Sequence, residues 1–162
     1  MIAKPWVLAG SLLKEKGLTL AAAESCTGGL VSSLITDVPG SSDYFIGSVI
    51  AYGNDIKINA LSVKPSTIRR YGAVSGQTAR EMALGVKKAF KSGAAISITG
   101  IAGPGGGSAR KPVGTVFICA ACGERLVVKK FLFEGGRKSI KKQSALTALN
   151  LLAGLLKEGT LP

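Results

Sequence analysis

The sequence predicts an α/β fold: a three-layer α/β/α domain with a mixed sheet that includes a late antiparallel hairpin. Two observations predict it. Through the first hundred residues, short apolar or β-branched runs alternate with helix-period stretches, the pattern of helices packed on the faces of a sheet. Later, strand-like runs at about 113–121 and 125–133 have only Cys122-Gly123-Glu124 between them, too short for a crossover, so they turn back antiparallel. A length of 162 residues fits one domain, 1–162, with enough core to need neither disulfide nor metal.

The elements follow in order. Residues 5–16 form a helix with Val7, Leu8, Leu12 and Leu13 on one side and Gly17 as its stop. Leu18 to Glu24 is short, apolar and turn-bounded, as a buried strand is. Cys26-Thr27-Gly28-Gly29 opens a second helix, in which Leu30, Val31, Leu34 and Ile35 pair at i, i+4, and Pro39-Gly40-Ser41-Ser42 closes it. Tyr44 to Tyr52 is a strand by its β-branched and aromatic content. A short helix is expected over Asn54–Leu61 and another from Pro65 to Tyr71, where proline suits the first turn. Ser75 caps a helix to about Phe90, whose buried stripe is Ala79, Met82, Ala83, Val86 and Phe90. Ala94 to Ile98 is a strand that runs into the glycine-rich stretch Thr99–Gly107. After the hairpin, a long helix spans about Arg137 to Leu156, with an apolar face that is core or, alternatively, the seam of a homodimer or higher homo-oligomer. No internal repeat, low-complexity tract or linker interrupts this order.

Composition excludes whole classes of chemistry. There is no histidine, so a Ser-His-Asp triad, a Cys-His dyad and a histidine metal site are all ruled out. Acid–base work falls to Lys, Glu, Asp, Tyr or a substrate group. Three cysteines make no disulfide framework, which suits a reducing cytoplasm, and Cys119-x-x-Cys122 lies in a strand where a redox motif would open a helix. No signal peptide is expected from Met1 to Gly17, and the longest nearly apolar stretch, Ala145 to Leu156, is shorter than the about 20 residues a bilayer span needs. The expectation is a soluble cytoplasmic protein without a membrane partner. The net charge of +12, from 21 Lys and Arg against nine Asp and Glu, suits an anionic partner, although Lys87, Lys88 and Lys91 also fit a solvated helix face.

Four stretches carry candidate chemistry. In Ala23-Glu24-Ser25-Cys26-Thr27-Gly28-Gly29, Ser25 stands at a strand-to-helix turn. If the helix starts near Thr27, free N–H groups and the positive helix end face it, as a nucleophile with an oxyanion pocket requires; plain N-capping explains the same residues. The glycines of a G-x-S-x-G elbow are missing. In Tyr52-Gly53-Asn54-Asp55-Ile56-Lys57, a neutral lysine would deprotonate a serine if burial lowered its pKa, whereas a solvated Lys57 beside Asp55 is the simpler reading. The Thr99–Gly107 loop is either an anion cradle or a flexible turn, and it matches neither a Walker A nor a G-x-G-x-x-G pattern. Gly135-Gly136-Arg137 opens the last helix with Lys138, Lys141 and Lys142 close behind, a basic first turn that is unfavourable unless an anion binds there.

Together AESCTGGLVSSLITDVPGSS (23–42), YGNDIK (52–57), GAVS (72–75), SITGIAGPGGGS (97–108), KPVGTV (111–116) and GGRKSIKKQ (135–143) resemble the C-terminal domain of the competence/damage-inducible protein CinA, over nearly the whole chain. Stand-alone members of that family include nicotinamide mononucleotide (NMN) deamidases. The resemblance implies hydrolysis of the NMN carboxamide to nicotinic acid mononucleotide and ammonia, with no cofactor and no metal. By motif position it implies Ser25 as nucleophile with Tyr52 and Lys57 beside it, and backbone N–H groups near Thr27 to Gly29 for the oxyanion. It further implies substrate contacts from Thr27, Gly28, Gly29, Asn54, Thr99, Gly100, Gly103, Gly106, Gly107 and Arg137. Gly53 stands where the pattern carries serine or another small residue. Lys141 stands where many relatives carry arginine, which would turn a bidentate grip into a point charge. Larger members carry an additional N-terminal domain, whose activities are not part of this resemblance. A pyridine-nucleotide-binding regulatory module without turnover is the alternative. A basic nucleic-acid-binding protein ranks lower, since the chain has nine aromatics and no nucleic-acid motif.

Overall fold

The computed structural model describes residues 3–158, so the outermost residues of the predicted 1–162 domain lie outside the described residues. Five strands form one mixed sheet: β1 (Leu20–Glu24), β2 (Phe45–Ile50), β3 (Ala94–Gly100), β4 (Thr115–Cys122) and β5 (Arg125–Leu132), in the order β2-β1-β3-β4-β5. β1 runs parallel to both β2 and β3; β4 and β5 are antiparallel, as the short hairpin demands. The α/β class with a mixed sheet and a late hairpin is therefore the observed architecture.

The helices are α1 (Pro5–Glu15), α2 (Leu30–Thr36), α3 (Asn54–Leu61), α4 (Pro65–Tyr71), α5 (Gly76–Phe90) and α6 (Arg137–Lys157). Strand alternation sends Leu20, Ile96, Ile98, Ile118 and Ala120 to one face, where α1, α2 and α6 cover them. Ala21, Ala23, Ala95 and Ala121 point to the other face, against Met82 and Val86 of α5. All five residues of β1 are buried, as a central parallel strand covered on both sides must be. The apolar face of α6 is core, with Ile140, Ala145, Ala148, Leu149 and Leu152 in the main cluster. Ser75 caps α5 as expected, its hydroxyl accepting from the Thr78 N–H at 3.2 Å. Cys119 and Cys122 join packing clusters on opposite faces of β4, and burial pushes the Cys119 thiol up to about 12. No helix among the described residues is long and apolar enough to cross a membrane.

One boundary differs in a way that matters. The second helix begins at Leu30, not near Thr27, because Gly28 and Gly29 take left-handed conformations, φ +61° and +96°. Only glycine enters that region without steric cost, so the two glycines build a turn rather than a helix entry.

Candidate active site

The chain leaves β1 for β2 on one side and later returns to β3 on the other, so the strand order reverses about β1. In open α/β sheets the crevice outside the strand carboxyl ends at such a point is where ligands bind. Here Ser25 follows β1, Ala51 and Tyr52 follow β2, and Thr99 and Gly100 end β3. All but Ala51 line one cavity of about 280 Å³, which Lys57 and Arg137 also line.

Backbone ladders hold the centre. The Ser25 N–H donates to Ile98 O at 3.0 Å, and the Ala51 N–H donates to Glu24 O at 2.8 Å, extending the parallel pairing past the strand ends. Lys57 lies on the first turns of α3, where helical side chains lean back toward the N-terminus. That direction carries its Nζ under the cavity floor. It donates to Ser25 Oγ at 3.1 Å, Ala51 O at 2.7 Å and Tyr52 O at 3.1 Å. Lys57 is 1% exposed and Ser25 8%, and none of the three acceptors is a carboxylate. Burial therefore pushes the Lys57 ammonium below its usual 10.5. In the neutral amine, two N–H bonds stay on the carbonyls and the lone pair takes the remaining tetrahedral direction, toward the serine hydroxyl. Burial likewise raises the Cys26 thiol beside them to about 11, which disfavours its thiolate.

The mouth is built differently. Arg137, the first residue of α6, donates from Nη1 to Gly103 O at 2.7 Å and from Nη2 to the Tyr52 hydroxyl at 2.9 Å. Tyr52 thus meets Lys57 through its carbonyl, while its phenol faces the arginine. The resemblance implied Tyr52 beside Ser25; the structure brings its carbonyl to the Ser25–Lys57 pair and sets its side chain at the mouth of the same cavity. Asn54, Gly103 and Gly106, for which the resemblance implied substrate contact, line the cavity. Thr99 does too, with its hydroxyl donating to Ala73 O at 2.8 Å.

Four expected contact residues lie outside the lining: Thr27, Gly28, Gly29 and Gly107. The amides of Gly28 and Gly29 are already committed, to Ser25 O at 3.1 Å and to a Glu24 carboxylate oxygen at 3.0 Å. Gly107 packs so close to Val113 that a Cβ would meet the Val113 nitrogen at 2.8 Å, so its role is close approach within the loop. The positive end of α2 is likewise occupied, by Glu24. Among the described residues, the amides of Cys26 and Thr27 donate to no other residue.

Sequence reasoning missed two contributors. Glu24 is fully buried, and only its place before a turn at the end of an apolar run hinted at a capping task. Lys111 ties the cavity wall together, donating from Nζ to Tyr71 O at 2.8 Å and Val74 O at 2.7 Å. Ala73 and Val74 form that wall, a role to which the GAVS stretch was the only pointer.

These features define a class: a three-layer α/β domain in which a buried serine–lysine pair opens into a small cavity at the carboxyl ends of parallel strands. The family model of the CinA C-terminal domain matches residues 6–156, and the chain belongs to that family. It is 53% identical over 147 residues to a CinA-like protein of Syntrophomonas wolfei, covering 91% of this chain and 35% of that protein. A CinA-like protein of Thermotoga maritima is 48% identical, with 90% and 36% covered. The chain thus spans about one third of the length of these relatives. Among solved structures, a competence/damage inducible protein from Agrobacterium tumefaciens superposes with a TM-score of 0.90 at 36% identity, covering 96% and 97% of the two chains. A CinA superfamily protein from Enterobacter cloacae gives 0.91 at 30%, with 96% and 94% covered.

Proposed function

We propose that this domain hydrolyses the carboxamide of nicotinamide mononucleotide, releasing ammonia and nicotinic acid mononucleotide. The observation that carries this reading is the 3.1 Å contact between Ser25 Oγ and a desolvated Lys57 Nζ in a chain without histidine. A cavity of about 280 Å³ lies just below the about 300–1,000 Å³ of ordinary ligand sites, and so suits a small molecule rather than a polymer. Arg137 at its mouth supplies the cation that a substrate phosphate requires.

Ser25 Oγ attacks the amide carbon while neutral Lys57 takes the hydroxyl proton. The oxyanion is held by an amide of the turn. The Cys26 amide, which lines the cavity and donates to no other residue, is the candidate donor, in place of the Gly28 and Gly29 amides, which are already committed. One such donor contributes about 2.7–4 kcal/mol. Lys57 passes its proton to the leaving nitrogen, ammonia departs, and water hydrolyses the acyl-serine with Lys57 again as base, returning Ser25 and the carboxylate product. The Tyr52 phenol, turned toward Arg137, orients the substrate mouth and takes no part in the proton path.

Ammonia release from NMN, nicotinamide riboside and nicotinamide tests the reading. NMN is the expected substrate, and Ser25→Ala should lower its turnover by at least about 10⁴-fold with the fold intact. Turnover retained in that variant would sink the nucleophile assignment. NMN binding without ammonia release would select a binding module instead.

A further inference from the structure

We propose that Glu24 is the positioning residue of the nucleophile turn: its buried carboxylate fixes the loop that aims Ser25 at Lys57. The proposal rests on the reading of Ser25 as nucleophile. Alternation along β1 sends the Glu24 side chain to the α2 face of the sheet and Ser25 to the opposite face, toward α3. The carboxylate is 0% exposed. One oxygen accepts from the Gly29 N–H at 3.0 Å and the Val31 N–H at 3.1 Å; the other accepts from the Ser32 N–H at 2.9 Å and the Ser32 hydroxyl at 2.7 Å.

A carboxylate placed this deep needs such donors, because an unpaired buried charge costs several kcal/mol. The N-cap position itself belongs to Gly29, which has no side chain to cap with and whose φ of +96° disfavours any other residue. The cap therefore comes from five residues upstream, and its position has a consequence an ordinary cap lacks. Ser25 is enclosed between Glu24, which supplies the acceptor, and Gly29, which supplies the first donor. The Ser25 N–H is fixed to Ile98 O, and its carbonyl accepts the Gly28 N–H. With both ends of this short loop clamped, the Cα–Cβ direction of Ser25 is set, and in the observed rotamer its hydroxyl meets Lys57 Nζ at 3.1 Å. The carboxylate also occupies the positive end of α2, so that end acts on the reaction through geometry rather than by holding substrate charge.

The test uses Glu24→Gln and Ser32→Ala, each checked by thermal unfolding and corrected for folded fraction. Two rates are read: ammonia release from NMN, and covalent labelling of Ser25 by a fluorophosphonate, located by peptide mass. For Glu24→Gln both kcat and labelling should fall about 10²-fold with KM within about threefold, the signature of a misplaced reacting group. Ser32→Ala, which removes one of four donors, should lower both by about two- to tenfold. Wild-type kcat and labelling in folded Glu24→Gln overturn the proposal, as does a loss explained by the unfolded fraction alone. If Glu24→Gln does not fold, Ser32→Ala decides, and unchanged labelling there overturns it. A wild type that labels at Ser25 but releases no ammonia from NMN sinks the substrate assignment, and a labelling loss in Glu24→Gln then still supports positioning. A wild type that does not label at Ser25 sinks both.

Discussion

Lys57 and Tyr52 stand five residues apart and meet the solvent in opposite ways. Lys57 is 1% exposed and donates only to neutral oxygens, whereas Tyr52 is 60% exposed and its hydroxyl accepts from a cation. The first environment disfavours a charge, as the proposed base requires; the second leaves charges hydrated, as the proposed recognition of substrate at the mouth does. One short segment thus serves both the desolvated centre of the site and its wet mouth, and substitutions should separate the two.

The largest effect is expected at the centre. Lys57→Met removes the proposed base but keeps the apolar stem, and should lower kcat by about 10²–10⁴-fold, the range for a general base, with little change in KM. Stability should move the other way. The folded-state pKa of Lys57 lies below its unfolded value of 10.5, so between the two the unfolded chain binds the extra proton. Stability therefore rises with pH through that window, and at neutral pH the buried lysine is a cost. Lys57→Met should melt higher than wild type at pH 7, with the gain shrinking as the pH approaches 10.5. Wild-type kcat should rise with pH along a limb whose midpoint lies below 10.5. A methionine variant that melts lower at pH 7, or a flat pH profile, would break the contrast from the side of the centre.

Arg137→Ala probes the mouth. Its guanidinium lies on the cavity lining, and hydrogen bonds to charged groups contribute about 1.5–3 kcal/mol. KM for NMN should rise by about 10–100-fold while kcat changes little, and wild-type KM should itself rise with ionic strength. Equal losses in kcat and kcat/KM would move Arg137 from recognition into the chemistry.

The same contrast explains what was legible in the sequence. Alternating apolar runs and glycine stops announced the layers, and the three-residue hairpin connection announced the antiparallel half. The missing histidine narrowed any acid–base group to Lys, Glu, Asp, Tyr or a substrate group before any geometry was known, and the resemblance pointed to Lys57 among them. Local signals failed where long-range partners decide. Ser and Thr before an apolar run suggested a helix start near Thr27, but two left-handed glycines delayed it to Leu30, and the cap came from Glu24. The Tyr52 hydroxyl finds Arg137, 85 residues away, a pairing that no spacing rule encodes.

The smallest effect is expected at Tyr52, and it tests the division most finely. As a proton relay its hydroxyl would carry part of the kcat, and Tyr52→Phe would cost about 10²-fold or more, as loss of a general acid or base does. Its carbonyl, however, is the atom that meets Lys57, and phenylalanine keeps that carbonyl. What the substitution removes is the 2.9 Å bond from Arg137, at a residue largely in water. A bond to a charged donor contributes about 1.5–3 kcal/mol when buried and less at a residue largely in water, so KM should rise by about twelve-fold at most, with kcat nearly unchanged. Arg137→Ala and Tyr52→Phe share this bond, so their effects on KM should be less than additive when combined. A kcat loss in Tyr52→Phe that matches Lys57→Met would instead place the phenol on the proton path and merge the mouth with the centre.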